Sequence, residues 1–180
     1  WDTNPIQNGA TATDLAAGTY TVLVTDDNGC TASETVDINE PAVLSLAIAG
    51  TDALCNQVAD GTATVTPSGG TTPYTYDWGN GQVAATAIDL LAGDYTVTVT
   101  DLNGCTEEIS IMISEPEVLV LDTEGTDPDC FDSGDGTATV TPSGGTTPYT
   151  YDWGNGQLTE TATGLDGGTS TVIVTDGNGC

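Results

Sequence analysis

The stretch DGTATVTPSGGTTPYTYDWGNGQ, residues 60–82, occurs a second time without change at residues 135–157, which places the two copies 75 residues apart. A third and partial copy opens the chain, where residues 1–30 resemble residues 78–105 with two extra residues. Self-similarity at a fixed period is typical of serial domains, each made of one repeat. The period therefore predicts an array of small domains.

The repeat boundaries divide the chain into three units. We expect residues 1–40 to form the C-terminal part of a β-sandwich repeat and residues 41–115 a complete repeat. Residues 116–180 are expected to form a repeat lacking its last strand.

Short segments with alternating apolar and polar residues fill the complete repeat, and turn residues separate them. They lie around Leu44–Ile48, Thr62–Thr66, Tyr74–Trp78, Thr86–Leu90, Tyr95–Val99 and Ile109–Ile113. Alternation with period two is the signature of half-buried strands, and short, regularly spaced strands indicate a sandwich. We predict an all-β fold of tandem immunoglobulin-like antiparallel sandwiches in an elongated array, with Ile88 and Leu90 both facing the core.

The charge balance is extreme, since the chain has 27 acidic side chains, no Lys, Arg or His, and a formal net charge of −27. No basic residue is present to contact phosphate groups, so nucleic-acid binding is not expected. Nucleophile activation by His or Lys is excluded, and nothing singles out a carboxylate pair, so we expect no enzymatic activity. No run of 18 apolar residues exists, so membrane insertion is not expected.

The carboxylates must be balanced by solvent, backbone amides or cations, and clustered carboxylate and carbonyl oxygens suit calcium. We therefore expect calcium as a bound cofactor. The metal-ligand candidates lie in three acidic turns and in one denser cluster: Asp26, Asp27, Asn28, Asp101, Asn103, Asp176 and Asn178, and then Asp127, Asp129, Asp132 and Asp135. The alternative is that each Asn-Gly pair simply forms a tight hairpin turn.

Five cysteines, Cys30, Cys55, Cys105, Cys130 and Cys180, are separated by alternating gaps of 25 and 50 residues. Without a C-x-x-C motif they predict disulfides rather than a zinc site. If each domain has seven strands and five of them separate Cys55 from Cys105, the two lie at opposite ends of one domain, and Cys55 faces Cys180 of the next. If four strands separate them, Cys55 pairs with Cys105 and Cys130 with Cys180 within domains. We favour the intradomain pairs.

Three aromatic residues, Tyr74, Tyr76 and Trp78, share one face of a predicted strand. They could form a stacking surface for a sugar, or they could be core residues. A tryptophan on a central strand is typical of the core of an immunoglobulin-like domain, which favours the second interpretation.

The motifs together resemble a known repeat family. The pattern runs from Cys55 through a Gly-Gly-x-x-Pro-Tyr-x-Tyr-x-Trp block to a closing Gly-x-Tyr-x-Val-x-x-x-Asp-x-Asn-Gly-Cys at Cys105. It is similar to the SprB-type repeat of very large surface adhesins of gliding bacteria, and to PKD-type and other immunoglobulin-like modules. In such modules a Tyr after a Leu-x-x-Gly turn forms a tyrosine corner. Tyr20 and Tyr95 occupy that place, whereas the last copy has Ser170.

This resemblance implies an exported protein at the cell surface. We expect an extracellular stalk or filament with adhesive function, whose partners are neighbouring repeats of the same protein and whose joints are stiffened by calcium, disulfides or both. The rival hypothesis is a carbohydrate-binding accessory module of a secreted enzyme, which would bind a surface polysaccharide.

Overall fold

The computed structural model describes residues 1–131 and 133–180, and all the regular structure in these two ranges is antiparallel β-sheet. The all-β prediction is confirmed. The described residues contain no helix with the length and apolar character needed to cross a membrane.

Six strands form the middle domain, and their order in sequence differs from their order in space. They are β3 (Ser45–Thr51), β4 (Gly61–Ser68), β5 (Thr75–Asp77), β6 (Thr86–Leu90), β7 (Gly93–Thr100) and β8 (Thr106–Ile113). One sheet has the order β3-β4-β6 and the other the order β5-β7-β8. Two three-stranded sheets whose inner faces pack together make a small sandwich.

The core of the middle domain lies between the two sheets. Its fully buried residues come from both: Ala63, Val65, Ala87 and Leu90 from the first, and Trp78, Val97, Val99 and Ile113 from the second and its flanking loop. Burial alternates within β4 and β7 as predicted, with Ala63 and Val65 buried in β4 and Val97 and Val99 in β7.

The expected orientation of β6 is wrong at one position. Leu90 is buried, as predicted, but Ile88 is exposed and Ala87 is buried in its place. Pairing between β4 and β6 shifts register here, and Asp89 adopts a positive φ of 53°. A bulge of this kind inserts one extra residue and reverses the alternation, which a strict period of two does not predict.

The N-terminal unit contains one hairpin of β1 (Gly18–Thr25) and β2 (Thr31–Ile38). The C-terminal unit contains β9 (Val120–Thr126), β10 (Gly136–Ser143), β11 (Thr150–Asp152), β12 (Thr161–Leu165) and β13 (Ile173–Thr175). Its sheets have the orders β12-β10-β9 and β11-β13, which repeat the arrangement of β3 to β7.

Tyrosine corners are present where the resemblance places them. The hydroxyl of Tyr95 donates to the carbonyl of Leu91 at 3.1 Å, and that of Tyr20 donates to the carbonyl of Ala16 at 3.0 Å. The corner is absent at Ser170, which precedes the shortened strand β13.

Candidate functional site

Three copies of the sequence Asp-x-Asn-Gly-Cys form the same tight turn. In the middle domain one carboxylate oxygen of Asp101 accepts the backbone N–H groups of Asn103 and Cys105, each at 2.9 Å. The other oxygen accepts the N–H of Thr71, also at 2.9 Å, so the turn is tied to the loop after β4. Asp101 is therefore a structural residue that organises one end of the domain.

These bonds set the titration of the turn carboxylates. The pKa of Asp101 lies below its ordinary value, first because the N–H of Thr71 stabilises the charged form, and then because those of Cys105 and Asn103 do the same against the opposing effect of burial. The pKa of Asp176 is lowered in the same way, by Cys180 first and then by Thr146. A carboxylate that accepts several N–H bonds favours its ionised state.

The aspartates of the predicted calcium sites are dispersed in the structure. Within residues 1–131 and 133–180, no three acidic, Cys or His side chains meet as a metal cluster. Asp135 accepts bonds from the hydroxyl of Ser133 and from the N–H of Asp129, so it organises its own loop. Asp132, the remaining member of the denser cluster, lies outside the described residues.

A disulfide bond joins the middle and C-terminal domains. Cys55 follows β3, Cys180 follows β13, and the two are bonded with their Cα atoms 5.8 Å apart, across 125 residues of sequence. This is the pairing between domains that the sequence left as the alternative. The intradomain pairing that we favoured is wrong, since Cys105 and Cys130 are exposed and have free thiols, as does Cys30.

The path of the chain explains why the pairing within the domain fails. Four strands, β4 to β7, separate Cys55 from Cys105, which by simple alternation would bring both cysteines to one end. However, β5 and β6 are short strands in different sheets that run in the same direction, so together they make one passage through the domain. Three passages therefore separate Cys55 from Cys105, and the two cysteines lie at opposite ends.

Polar contacts surround the disulfide and align the two domains. The side-chain amide of Asn178 donates to the carbonyl of Leu54 at 2.8 Å and to the hydroxyl of Thr146 at 3.1 Å. From the linker, Glu115 accepts the side-chain amide of Asn56 at 2.9 Å and the N–H of Gln57 at 2.6 Å. We call this arrangement, made of the loop Ala53–Val58, the linker Glu115–Leu119 and the turn Asp176–Cys180, the joint.

Sequence reasoning placed Asn178 among calcium ligands and missed the role of Glu115. One signal could have found the linker, since Glu-Pro recurs at the two unit boundaries, as Glu40-Pro41 and Glu115-Pro116.

A groove of about 310 Å³ lies at the joint, and its lining includes Asn56, Val58, Pro116 and Val118.

The segment before each domain packs so closely on the turn after the domain's second strand that only glycine fits in that turn. Gly69 has a φ of +71°, and a Cβ atom there would lie 2.0 Å from the carbonyl oxygen of Val43. Gly144 repeats this geometry against Val118, with the same φ and distance. Only glycine avoids the strain and the collision, which accounts for the Ser-Gly-Gly sequence in both repeats.

The aromatic face belongs to the core. Trp78 is only 3% exposed, and its indole N–H donates to the carbonyl of Ala84 at 2.9 Å, so the sugar-stacking interpretation is wrong for this residue. Tyr74 and Tyr76 are half-buried and pack against the same core, with the Tyr74 hydroxyl donating to the carbonyl of Gly69 at 2.5 Å.

The model of the SprB repeat family matches the chain twice, at residues 48–83 and 123–158. No curated protein gives a significant match. Each matched segment contains one strand pair, one cysteine loop and one Pro-Tyr-x-Tyr-x-Trp block, the motifs on which the resemblance rests. The chain is therefore similar to the SprB repeat in two segments that lie 75 residues apart.

Proposed function

We propose that this chain is a non-enzymatic section of a cell-surface stalk, in which SprB repeats form serial domains and covalent joints stiffen the boundaries between them. SprB repeats occur in very large surface adhesins of gliding bacteria, which supports an extracellular, cell-surface location and an adhesive function. The observation that carries the proposal is the joint, because it ties two successive repeats together through a disulfide and four hydrogen bonds to side chains.

The mechanical consequence follows from where the disulfide lies. A force applied along the chain passes directly from Cys55 to Cys180, so the 125 residues of sequence between them carry no extension while the bond is intact. In serial domains each unit interacts chiefly with its neighbours. The bond therefore protects most of two sandwiches at once.

Calcium is the cation that we propose for the surface carboxylates. With a net charge of −27 and no basic side chain, self-repulsion opposes the compact state. Exposed carboxylates such as those of Asp27 and Asp127 are free to recruit hard cations from the medium. Asp101 and Asp176 are less suited to this role because backbone N–H groups already occupy their oxygens.

The rival function, a carbohydrate-binding module, has weaker support. Stacking on a sugar requires an exposed aromatic face, and the tryptophans of both matched repeats are buried, Trp78 at 3% and Trp153 at 8% exposure.

Single-molecule stretching tests the proposal, with the two ends of the chain held through groups other than thiols. In calcium and without reductant, we expect the segment between Cys55 and Cys180 to stay closed. Reduction should then release an additional length of about 400–450 Å, from 125 residues at roughly 3.3–3.6 Å each. Chelation by EDTA should lower the unfolding force if calcium contributes.

Two cysteine variants provide the matched control. Cys55→Ser should give the long extension without reductant, whereas Cys105→Ser should behave as the unmodified chain because Cys105 has a free thiol. Release of the full length from the oxidised, unmodified chain would show that the joint does not bear load.

A further inference from the structure

The chain carries one half of each of two further joints, and neither half has its counterpart among the described residues. The loop around Cys130 corresponds to the loop around Cys55, and the turn ending at Cys105 corresponds to the turn ending at Cys180. Both cysteines are exposed and have free thiols. The bonded pair in the same molecule therefore shows what each free half is shaped to receive.

The Cys130 loop is folded like its bonded counterpart. The N–H of Asp129 donates to Asp135 at 3.1 Å, as the N–H of Leu54 donates to Asp60 at 2.9 Å. The turn is closed by the N–H of Ser133, which donates to the carbonyl of Cys130 at 3.2 Å. The equivalent bond in the Cys55 loop runs from Val58 to Cys55 at 3.3 Å. Two hydrogen bonds of the Cys130 loop thus have the same donors and acceptors, by position, as those of the bonded loop.

Phe131 adds an apolar anchor to this loop. It is the only phenylalanine of the chain and is 95% exposed. It takes the position of Asn56, which lines the groove of the existing joint. Phe131 is an exposed aromatic residue beside a cysteine, and the corresponding loop around Cys55 lies in an interface between domains. Residues of this kind are typical of interface hot spots.

The turn Asp101–Cys105 of the middle domain corresponds to the other half of a joint, the turn Asp176–Cys180. The side-chain amide of Asn103 donates to the hydroxyl of Thr71 at 3.0 Å, just as Asn178 donates to Thr146. Asn178 also donates to the carbonyl of Leu54 in the loop it binds, and Asn103 has no such second acceptor among the described residues. Asn103 therefore keeps one donor for a loop carbonyl such as that of Asp129.

The linker that precedes the middle domain is apolar, and so is the Cys130 loop at Phe131. Val43 is 87% exposed beside Pro41, and Ala42 stands where the existing joint has Glu117. Replacing a carboxylate by a methyl group removes the cost of desolvating a charge against an aromatic ring. The end of the middle domain thus suits Phe131 better than the end of the C-terminal domain does.

We propose that the Cys130 loop is a docking element for a further repeat of the same kind, one that presents the apolar linker of Pro41 and Val43 and a turn like Asp101–Cys105. Phe131 packs on the linker, and Cys130 forms a disulfide with the turn cysteine 125 residues further along the chain. The two thiols form one S–S bond, and a small disulfide such as oxidised glutathione accepts their two protons and two electrons and leaves as two thiols. The inference rests on the proposed function, because it requires repeats in series.

The test extends the full chain by one period, adding a second copy of residues 31–105 directly after Cys180. This keeps the register and places a copy of the Cys105 turn 125 residues after Cys130. After equilibration with oxidised and reduced glutathione, free thiols are alkylated and the protein is cleaved at acidic residues, since it has no site for trypsin. We expect Cys130 to be bonded to the last cysteine of the added segment. Cys30, Cys105 and the added copy of Cys55 should be alkylated.

The controls separate this inference from the proposed function. Replacing the last cysteine of the added segment by serine should return Cys130 to the alkylated pool and leave Cys55–Cys180 intact. Alkylation of Cys130 in the extended chain, with Cys55–Cys180 present, would overturn the docking inference alone. Loss of Cys55–Cys180 in both chains would contradict the proposed function itself.

A pair of apolar variants tests the part played by Phe131. Phe131→Ala should lower the equilibrium constant for closure in glutathione buffer about tenfold, as truncation of an interface anchor does. Leu158→Ala removes an exposed apolar side chain of the same domain outside the loop and should leave closure unchanged. Equal closure in the two variants would overturn the assignment of Phe131 as the anchor.

Discussion

The middle and C-terminal domains share a block of 23 identical consecutive residues, yet the strands that follow the block differ in length. Within the shared block the geometry is the same: Trp78 and Trp153 each donate an indole hydrogen bond of 2.9 Å, and Tyr74 and Tyr149 each donate one of 2.5 Å. Outside the block, β7 has eight residues, whereas its counterpart β13 has three. The block therefore determines its own local structure, and the remainder of the repeat determines how complete the core becomes.

The difference has identifiable causes in the residues that follow the block. At matched positions, the middle domain has Tyr95 in its corner and buries Leu90 and Val97. The C-terminal domain has Ser170 at the corner position, and Leu165 and Val172 are only partly buried. A larger buried apolar area gives a larger stability.

The largest effect should come from removing the shared tryptophan in each domain. Trp78→Ala is expected to cost about 3–5 kcal/mol, the usual range for deleting a large aromatic side chain from a full core. Trp153→Ala should cost less, near about 2 kcal/mol, because fewer buried neighbours line the space that it leaves. Hydrogen exchange of the amides in β4 and β10 measures the two domains separately.

Each variant serves as the control for the other. The amides of β10 should keep their protection in Trp78→Ala, and those of β4 should keep theirs in Trp153→Ala. Equal losses in the two domains would show that the C-terminal core is as complete as that of the middle domain.

Substitution of the tyrosine-corner residue tests whether the corner accounts for the difference in stability between the two domains. Tyr95→Ser gives the middle domain the residue of its neighbour and should destabilise it by about 2 kcal/mol, through lost burial and one lost hydrogen bond. Tyr95→Phe keeps the ring and should cost only about 1 kcal/mol. Denaturant unfolding of the three proteins in parallel measures these differences.

The reverse substitution introduces the corner tyrosine into the C-terminal domain. Ser170→Tyr should lengthen β13 and slow exchange of its amides, since a corner hydroxyl can then donate to the carbonyl of Asp166. No change in exchange would show that the corner stabilises a strand only when a neighbour like β8 pairs with it.

Much of this architecture could be read from the sequence, and the errors have physical causes. Alternation predicted the strands and most of their inward faces, because burial on one face enforces a period of two. The core role of Trp78 was predicted from its similarity to the tryptophan of immunoglobulin-like cores. Alternation failed at Ile88, where a bulge shifts the register, and at the cysteines, where two short strands in different sheets, β5 and β6, run in the same direction. Contacts made across the joint by Glu115 and Asn178 depend on how two domains meet, and no local pattern describes that.

The two turn aspartates provide the smallest and most specific comparison. Asp101 and Asp176 accept equivalent hydrogen bonds and both have lowered pKa values, but only the turn of Asp176 is tethered by a disulfide. A carboxyl group with a lowered native pKa contributes stability above its unfolded pKa of about 3.9 and loses that contribution as the pH falls through its native pKa. Asp101→Asn should therefore lower the melting temperature at pH 7, and its deficit relative to the unmodified chain should shrink as the pH falls below about 4.

Asp94→Asn is the matched control, since it removes the same charge from an exposed position of the same domain and should leave the melting temperature at pH 7 nearly unchanged. Asp176→Asn should have a smaller effect than Asp101→Asn in oxidising buffer, because the bond to Cys55 holds its turn in place when the carboxylate no longer does. Reduction should remove that protection and make the two substitutions equal. If Asp176→Asn remains the milder change after reduction, the difference lies in the incomplete C-terminal core, and the disulfide does not stabilise the turn.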